Sequence, residues 1–478
     1  NIYEGKGPVE NYIWNLWFNH KTIMHLDDAY PSLFSYLLAG VFYLFKESIF
    51  VSKLVSFIFS ILTIILIYFI GKSLYNKKVG LLSMFFLSIN PTHIIYSIST
   101  MREIVFSFFI FIFILSFYKA IKTKEIRYFF FSGVLVGISI LINYIAFVIL
   151  FLSILYLIII WIYKKQKYLS GFLIFLIVAL LIILPLGIST YKYFKTPYYS
   201  ILNYYKYTDN WHSSQFSDER PTLKSFIDLG LDKIIYYKAY YLGRIFLWLP
   251  IILLPLVFIF FILGILFYDD FYRFTIFLFL GYILFYILSI NDLLLWSNRY
   301  FLFIFAPIII ISSNAIIKMV TIIKNKINKK LINPFFTILI IFSFIFSIFL
   351  LINDVRDIDK GGYKEIQNSL SFMSSWVINN TNDNDVILTN LPLDVNYYFN
   401  RPTIIDSCYT FLKSNTNLNI KRPKISVEYL INKYDVKYVL VKEDDKAFRE
   451  KLFDCYNVDL NAVYIEPKQK FYLYKIKI

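Results

Sequence analysis

The sequence is short of charge and of cysteine. Charged residues make up 17% of the chain against 58% hydrophobic ones, which excludes an ordinary soluble globule, where roughly a quarter of residues are charged. Only Cys408 and Cys455 are present, which excludes a disulfide-rich framework. Both stand beyond the last apolar run, where two cysteines read as small core residues more readily than as a bridge. No metal-site spacing is found. No glycine-rich loop follows a strand, which argues against nucleotide binding. Neither an internal repeat nor a pair of matching Gly/Pro-interrupted spans points to a repeat-built transporter. The chain opens on Asn1 with no signal peptide ahead of its first loop, so an N-terminal piece is expected to be missing.

What is abundant is apolar sequence in long runs. Windows of about 20 residues, the length needed to cross a bilayer, fall near 48–71, 79–97, 103–121, 128–143, 145–163, 168–189, 246–268, 273–290, 300–322 and 333–353. About ten spans are expected. The run 32–45, opened by Pro31 and closed by Lys46-Glu47, is short and suits a helix lying at the interface. The net charge of +16 does not imply nucleic acid, because the basic residues sit in short loops. Lys72, Lys77 and Lys78, then Lys119, Lys122, Lys124 and Arg127, then Lys164, Lys165 and Lys167, then Lys324, Lys326, Lys329 and Lys330 make every second loop basic and therefore cytoplasmic. Alternation puts residues 1–47, the turns near 90–102 and 290–299, the long loop 190–245 and the tail from 354 on the other side. Within the long loop, Pro221 opens an expected helix through Tyr236, its apolar face resting on the membrane or on the bundle.

From Asn353 the composition becomes that of a soluble domain. Segments 385–389, 403–406, 436–441 and 471–474 alternate as strands, with helical stretches near 363–378, 425–434 and 444–454 between them. The expected architecture is a polytopic α-helical membrane protein: a first outer loop with its interfacial helix (1–47), a helix bundle (48–353), and a small α/β domain (354–478) on the non-cytoplasmic side.

Three short stretches near expected membrane edges carry the chemistry: Asp28-Ala29-Tyr30-Pro31-Ser32-Leu33, Thr100-Met101-Arg102-Glu103, and Asn298-Arg299-Tyr300 leading to Pro307. Ionisable groups at a water-lipid boundary are costly and are retained for function by default. Glu103 can serve as a general base, or simply mark the boundary. Asp28 is the second candidate carboxylate, whereas Asp27 reads as a cap at the start of the interfacial helix. Arg299 and Arg102 can hold a lipid phosphate, with Lys53 and Arg244 as further phosphate contacts; snorkelling explains Arg299 nearly as well. His25 and His93 read as hydrogen-bonded structural residues.

Taken in order, these pieces resemble the GT-C membrane glycosyltransferases of the protein O-mannosyltransferase and aminoarabinose transferase kind. Tyr3-Glu4-Gly5-Lys6-Gly7 looks like the family's Gly stretch, and Asp28 to Leu33 like its Asp-x-His-Pro-Pro-Leu, with Tyr30 in place of His and Ser32 in place of the second Pro. Ser88-Ile89-Asn90-Pro91 through Glu103 is similar to the stretch ending in the second outer-loop acid, and Arg299-Tyr300 through Pro307 to the Arg-Tyr…Pro span. The resemblance places the family's first outer-loop acid upstream of Tyr3, and so implies an N-terminally truncated chain. It implies a hexosyl- or mannosyltransferase-like enzyme that moves a sugar from a polyprenyl-phosphate donor to a protein or glycolipid acceptor. Asp28 and Glu103 would be catalytic, Arg102, Arg299, Lys53 and Arg244 would face the donor phosphate, and neither metal nor other cofactor is required. Its partners would be the lipid-linked donor, the acceptor and membrane lipids, in a multi-pass plasma-membrane protein of the cell envelope. The alternatives are a transporter or flippase of lipid-linked glycans and a catalytically inactive paralogue that binds them.

Overall fold

A computed structural model describes residues 8–13, 20–164, 169–207, 220–289, 298–326, 329–360, 363–406, 427–442, 451, 456, 459–466 and 471–476. Cys408, Cys455 and most of the expected helix 444–454 lie outside them.

The chain begins with three short strands, β1 (Val9–Glu10), β2 (Tyr12–Ile13) and β3 (His25–Leu26), followed by the helix α1 (Leu33–Phe45). The bundle then comprises α2 (Ile49–Leu74), α3 (Lys77–Ser88), α4 (Pro91–Ser97), α5 (Arg102–Thr123), α6 (Ile126–Ile142), α7 (Ala146–Lys164) and α8 (Leu169–Phe194). After the long loop come α9 (Leu223–Ile227), α10 (Leu231–Ile252), α11 (Pro255–Leu263), α12 (Asp270–Ser289), α13 (Leu302–Lys326) and α14 (Lys329–Lys360).

Among the described residues, six helices are long and apolar enough to cross a membrane, and up to eight if two bent pairs each count as one span. Each of the ten apolar runs in the sequence coincides with a helix, but not each with a straight crossing. The run 79–97 bends by 64° between α3 and α4. Pro91 there occupies the first helical turn, and the Asn90 side chain accepts the His93 N–H at 3.0 Å, so the chain restarts a helix instead of continuing one. The run 246–268 bends by 108°, where Leu254 takes a left-handed φ of 70° immediately before Pro255. The run 128–143 corresponds to the shorter apolar helix Ile126–Ile142, and the run 333–353 lies within the long helix α14. In the long loop, the single helix expected from Pro221 to Tyr236 is broken: α9 ends at Ile227, and α10 starts after Gly230, whose φ is 91°.

The segment Asn298–Lys324 is the most enclosed candidate span, 89% of its window being buried, and its apolar run is hydrophobic all round, as a central helix must be. Around it, close contacts rest on small residues. One face of α2 carries Ser52, Ser56, Ser60 and Thr63, all buried; Ser52 bonds Thr100 at 2.8 Å and Ser60 bonds His93 at 2.8 Å. Gly133 and Gly137 bring α6 against α8 so closely that a Cβ on Gly133 would lie 2.7 Å from the Phe175 carbonyl.

The C-terminal domain contains α15 (Tyr363–Asn380), β4 (Val386–Thr389), α16 (Pro392–Phe399), β5 (Thr403–Ile405), α17 (Val427–Tyr434), β6 (Val436–Lys442), β7 (Leu460–Glu466) and β8 (Phe471–Ile476). The four expected strands are present, with β7 and α16 added. Period-two alternation puts Val386, Leu388, Val439 and Val441 on the face covered by α17, and Ile387, Tyr438 and Leu440 on the face covered by α15 and α16. The strand order is β2-β5-β4-β6-β8-β7. The edge strand β2, from the loop before α1, pairs parallel with β5, Ile13 opposite Ile404. Sequence distance hid this; the first loop and the C-terminal domain share one sheet.

Candidate functional site at one end of the bundle

Four segments meet at one end of the bundle: the turn before α1, the start of α5, the start of α13, and the stretch after α8. The Ile201 N–H donates to the Asp28 carbonyl at 2.8 Å and the Ser200 hydroxyl to the Ala29 carbonyl at 2.7 Å. Tyr30 is the hub. The Arg102 guanidinium stacks on its ring, 3.6 Å from the centroid. Burial pushes the Tyr30 phenol up to about 12, and Tyr300, Arg102, Arg299 and Glu103 all lie within its electrostatic reach.

Glu103 occupies the first turn of α5, where the positive end of the helix dipole favours an acid. It is buried, with the Arg299 Nε 3.6 Å from its Oε1, a distance too long for a hydrogen bond. Neither that Nε nor the Glu103 Oε2 hydrogen-bonds among the described residues. Arg299 Nη2 donates to the Tyr300 hydroxyl at 3.2 Å. Two expected residues distant in sequence thus come together, with spare hydrogen-bonding capacity on both.

Asp27 does not cap α1, whose N-cap position is Ser32; one of its carboxylate oxygens accepts the N–H groups of Ala29 and Tyr30 in the turn before the helix, each at 3.0 Å. It also lines a cavity of about 280 Å³ with Tyr30, Ser32, Tyr36, Tyr144, Ser189 and Thr190 among its walls. Burial holds its carboxyl above the ordinary range, against the opposing effects of the Tyr30 N–H and Arg102. Asp27 is therefore a cavity-lining acid that the sequence reading underweighted, because a cap and a cavity-lining acid look alike in one dimension.

Asp28 is fully buried, and its Oδ2 lies 3.2 Å from the His20 Nε2. It faces a pair of histidines whose rings stack at 3.7 Å between centroids. Burial, then the nearby His20, pushes the His25 imidazole down to about 4. Burial, then Asp27 and Asp28, pushes the Glu10 carboxyl well up. The sequence reading of His25 as an isolated structural residue missed this cluster; the β1–β3 pairing that sets Glu10 opposite His25 leaves too short a pattern to read. His93 is buried and bonded to Ser60. Lys53 is exposed on α2, and Arg244 on α10 donates to the Tyr240 hydroxyl at 3.3 Å; among the described contacts neither meets Glu103 or Arg299.

With that geometry in view, three comparisons are informative. Residues 29–183 match the family model for dolichyl-phosphate-mannose-protein mannosyltransferase. The fold matches ArnT from Cupriavidus metallidurans, bound to undecaprenyl phosphate, with a TM-score of 0.54 at 9% identity, covering 93% of this chain and 87% of that one. It also matches the oligosaccharyltransferase of Archaeoglobus fulgidus in the apo form, with a TM-score of 0.59 at 13% identity and coverages of 99% and 69%. The chain has the GT-C glycosyltransferase fold. The archaeal oligosaccharyltransferase AglB from Archaeoglobus fulgidus, in complex with an inhibitory peptide and a dolichol-phosphate, matches this chain with a TM-score of 0.56 at 14% identity, over 98% of this chain and 68% of that one. No curated protein sequence matches it.

Proposed function

We propose that this GT-C protein is a glycosyltransferase that moves a sugar from a polyprenyl-phosphate-linked donor to an acceptor on the extracytoplasmic side. The observation that carries the reading is the pairing, at one end of an apolar bundle, of Arg299 with Glu103 and of Arg102 with Tyr30. A donor of this kind keeps its isoprenoid tail in lipid and presents phosphate at the boundary. There, two guanidiniums stabilise the charge that develops on the departing phosphate. A carboxylate takes the acceptor proton while the acceptor oxygen or nitrogen bonds to the anomeric carbon and the carbon–phosphate-oxygen bond breaks. Glu103 is our first choice for that carboxylate and Asp27, in the cavity wall, the second. Asp28 acts behind them, through the loop it holds. The match to a mannosyltransferase family over residues 29–183, and the lipid phosphates named with ArnT and AglB, favour this reading over a flippase.

The test measures release of radiolabelled sugar from polyprenyl-phosphate-sugar in membranes carrying the full-length gene product. Glu103→Gln, at normal protein level, should lower transfer by about 100-fold, the usual contribution of a general base. Unchanged transfer would remove Glu103 from the site. Absence of transfer from every polyprenyl donor, wild type included, would sink the enzyme reading.

A further inference from the structure

We infer that His20, His25 and Asp28, with Glu10 beside them, form a binding site for one divalent metal ion of the zinc class. The first three are buried, and one ligand atom from each lies within 4.8 Å of the others. The decisive atom is the His25 Nε2. The His25 Nδ1 is 2.7 Å from the Ile23 carbonyl; a carbonyl can only accept, so Nδ1 carries the proton and, in the neutral ring, Nε2 presents a bare lone pair. That lone pair faces the Glu10 Oε2 at 3.7 Å and the Asp28 Oδ2 at 3.9 Å. Neither the His25 Nε2 nor the Glu10 Oε2 makes a hydrogen bond among the described residues. Acceptors converging in a buried space repel one another unless a shared proton or a metal cation lies between them.

The arrangement has the other marks of a metal centre. Bonds of about 2.0–2.1 Å at tetrahedral angles place ligand atoms about 3.4 Å apart; Asp28 lies 3.2 Å from His20 and 3.9 Å from His25, and all three ligand atoms fall within 4.8 Å of one another, so a contraction of about an ångström closes them on one ion. Donation of the second ring N–H to a backbone carbonyl, as His25 does to Ile23, is the usual way a metal-binding imidazole is oriented. Two imidazoles with carboxylates suit zinc and its neighbours better than calcium or magnesium. The ligands come from rigid positions: Glu10 and His25 are opposite one another in the β1–β3 pair, and the His20 carbonyl accepts the Tyr434 hydroxyl at 2.6 Å. An ion here would pin the loop that presents Asp27 and Tyr30, without itself touching the donor.

The test uses the full chain, purified on a tag free of histidine, stripped with EDTA and then exposed to Zn²⁺ or Co²⁺. Wild type should retain about one ion per chain after gel filtration, with the intense visible absorption of Co²⁺ in a tetrahedral site, and should lose thermal stability on chelation. His25→Ala and Asp28→Asn should lose the ion. His93→Gln, which removes a histidine bonded to Ser60 and outside this cluster, should keep it. His25→Cys adds a separate readout, a sulfur-to-cobalt charge-transfer band that arises only when residue 25 touches the ion, so misfolding of the alanine variant does not decide the matter. A wild type that binds neither ion, or equal retention by wild type and a folded His25→Ala, would overturn the assignment.

Discussion

Arg299 meets Glu103 from a distant part of the chain, and its value depends on what a guanidinium does that an ammonium cannot. The Glu103 side chain is 4% exposed and that of Arg299 28%, so the pair is shielded enough for loss of either partner to matter. A lysine at 299 keeps the charge beside Glu103 but forfeits the planar fork and the contact with the Tyr300 hydroxyl. Arg299→Lys should therefore leave thermal stability nearly unchanged and lower donor-dependent transfer by about tenfold, roughly 1.4 kcal/mol of transition-state stabilisation. Arg299→Ala should lower both, costing about 3 kcal/mol of stability because it strands a buried carboxylate. Equal transfer by wild type and the lysine variant, measured in proteoliposomes, would mean that Arg299 serves only as a counter-ion. At this scale, sequence reading reached Glu103, Arg102 and Arg299, because charge is conspicuous against apolar runs. It could not reach the stacking of Arg102 on Tyr30 or the gathering of Glu10, His20 and His25 about Asp28, which strand register and loop folding create.

Elements are set by a different part of the code. Most apolar runs marked their helices to within a few residues, since length and hydropathy act locally, though α10 starts at Leu231, well ahead of the run from 246; the alternating segments of the C-terminal domain were legible for the same reason. Breaks were less so: Leu254 at positive φ before Pro255, and the turn at Asn90-Pro91, lie inside continuous apolar sequence, where hydropathy carries no signal. How closely two helices pack is also invisible to hydropathy and depends on small residues. Gly133 lies against α8 at the Phe175 carbonyl, and Gly137 against Ile182. Backbone cannot yield as a flexible side chain can, so Gly133→Val must push α6 and α8 apart. The expected cost is about 1–3 kcal/mol, seen as a lower melting temperature in detergent with the Glu103 site unaltered in sequence. The same substitution at Gly40, where an added Cβ meets nothing within 4 Å, should have little effect and serves as the control.

At the scale of the whole molecule, the shared sheet makes the C-terminal domain a support for the site. Strand β2 pairs with β5, the Asn396 side-chain amide and the Thr403 N–H both donate to the Asn11 carbonyl, at 3.1 and 3.3 Å, and the Tyr434 hydroxyl holds the His20 carbonyl. From the His20 attachment the chain runs on through His25 to Asp27, Asp28 and Tyr30, and Asp28 and Ala29 are bonded in turn to Ile201 and Ser200, so the position of the loop is set from both sides, by the domain and by the stretch after α8. Ile13 is the hinge of this argument: it is 1% exposed and packs in the core with Val386, Leu388 and Ile404. Ile13→Asp would bury an unpaired charge there, a cost of several kcal/mol that the strand avoids by leaving the sheet. The remaining strands of the domain, and the bundle, keep their own cores. Hydrogen exchange should therefore quicken in residues 8–13 and 20–30 while the helices stay protected, and transfer should fall to near that of Glu103→Gln. Faster exchange with normal transfer would show that the first loop works without its anchor, and that the domain's sixth strand serves stability alone.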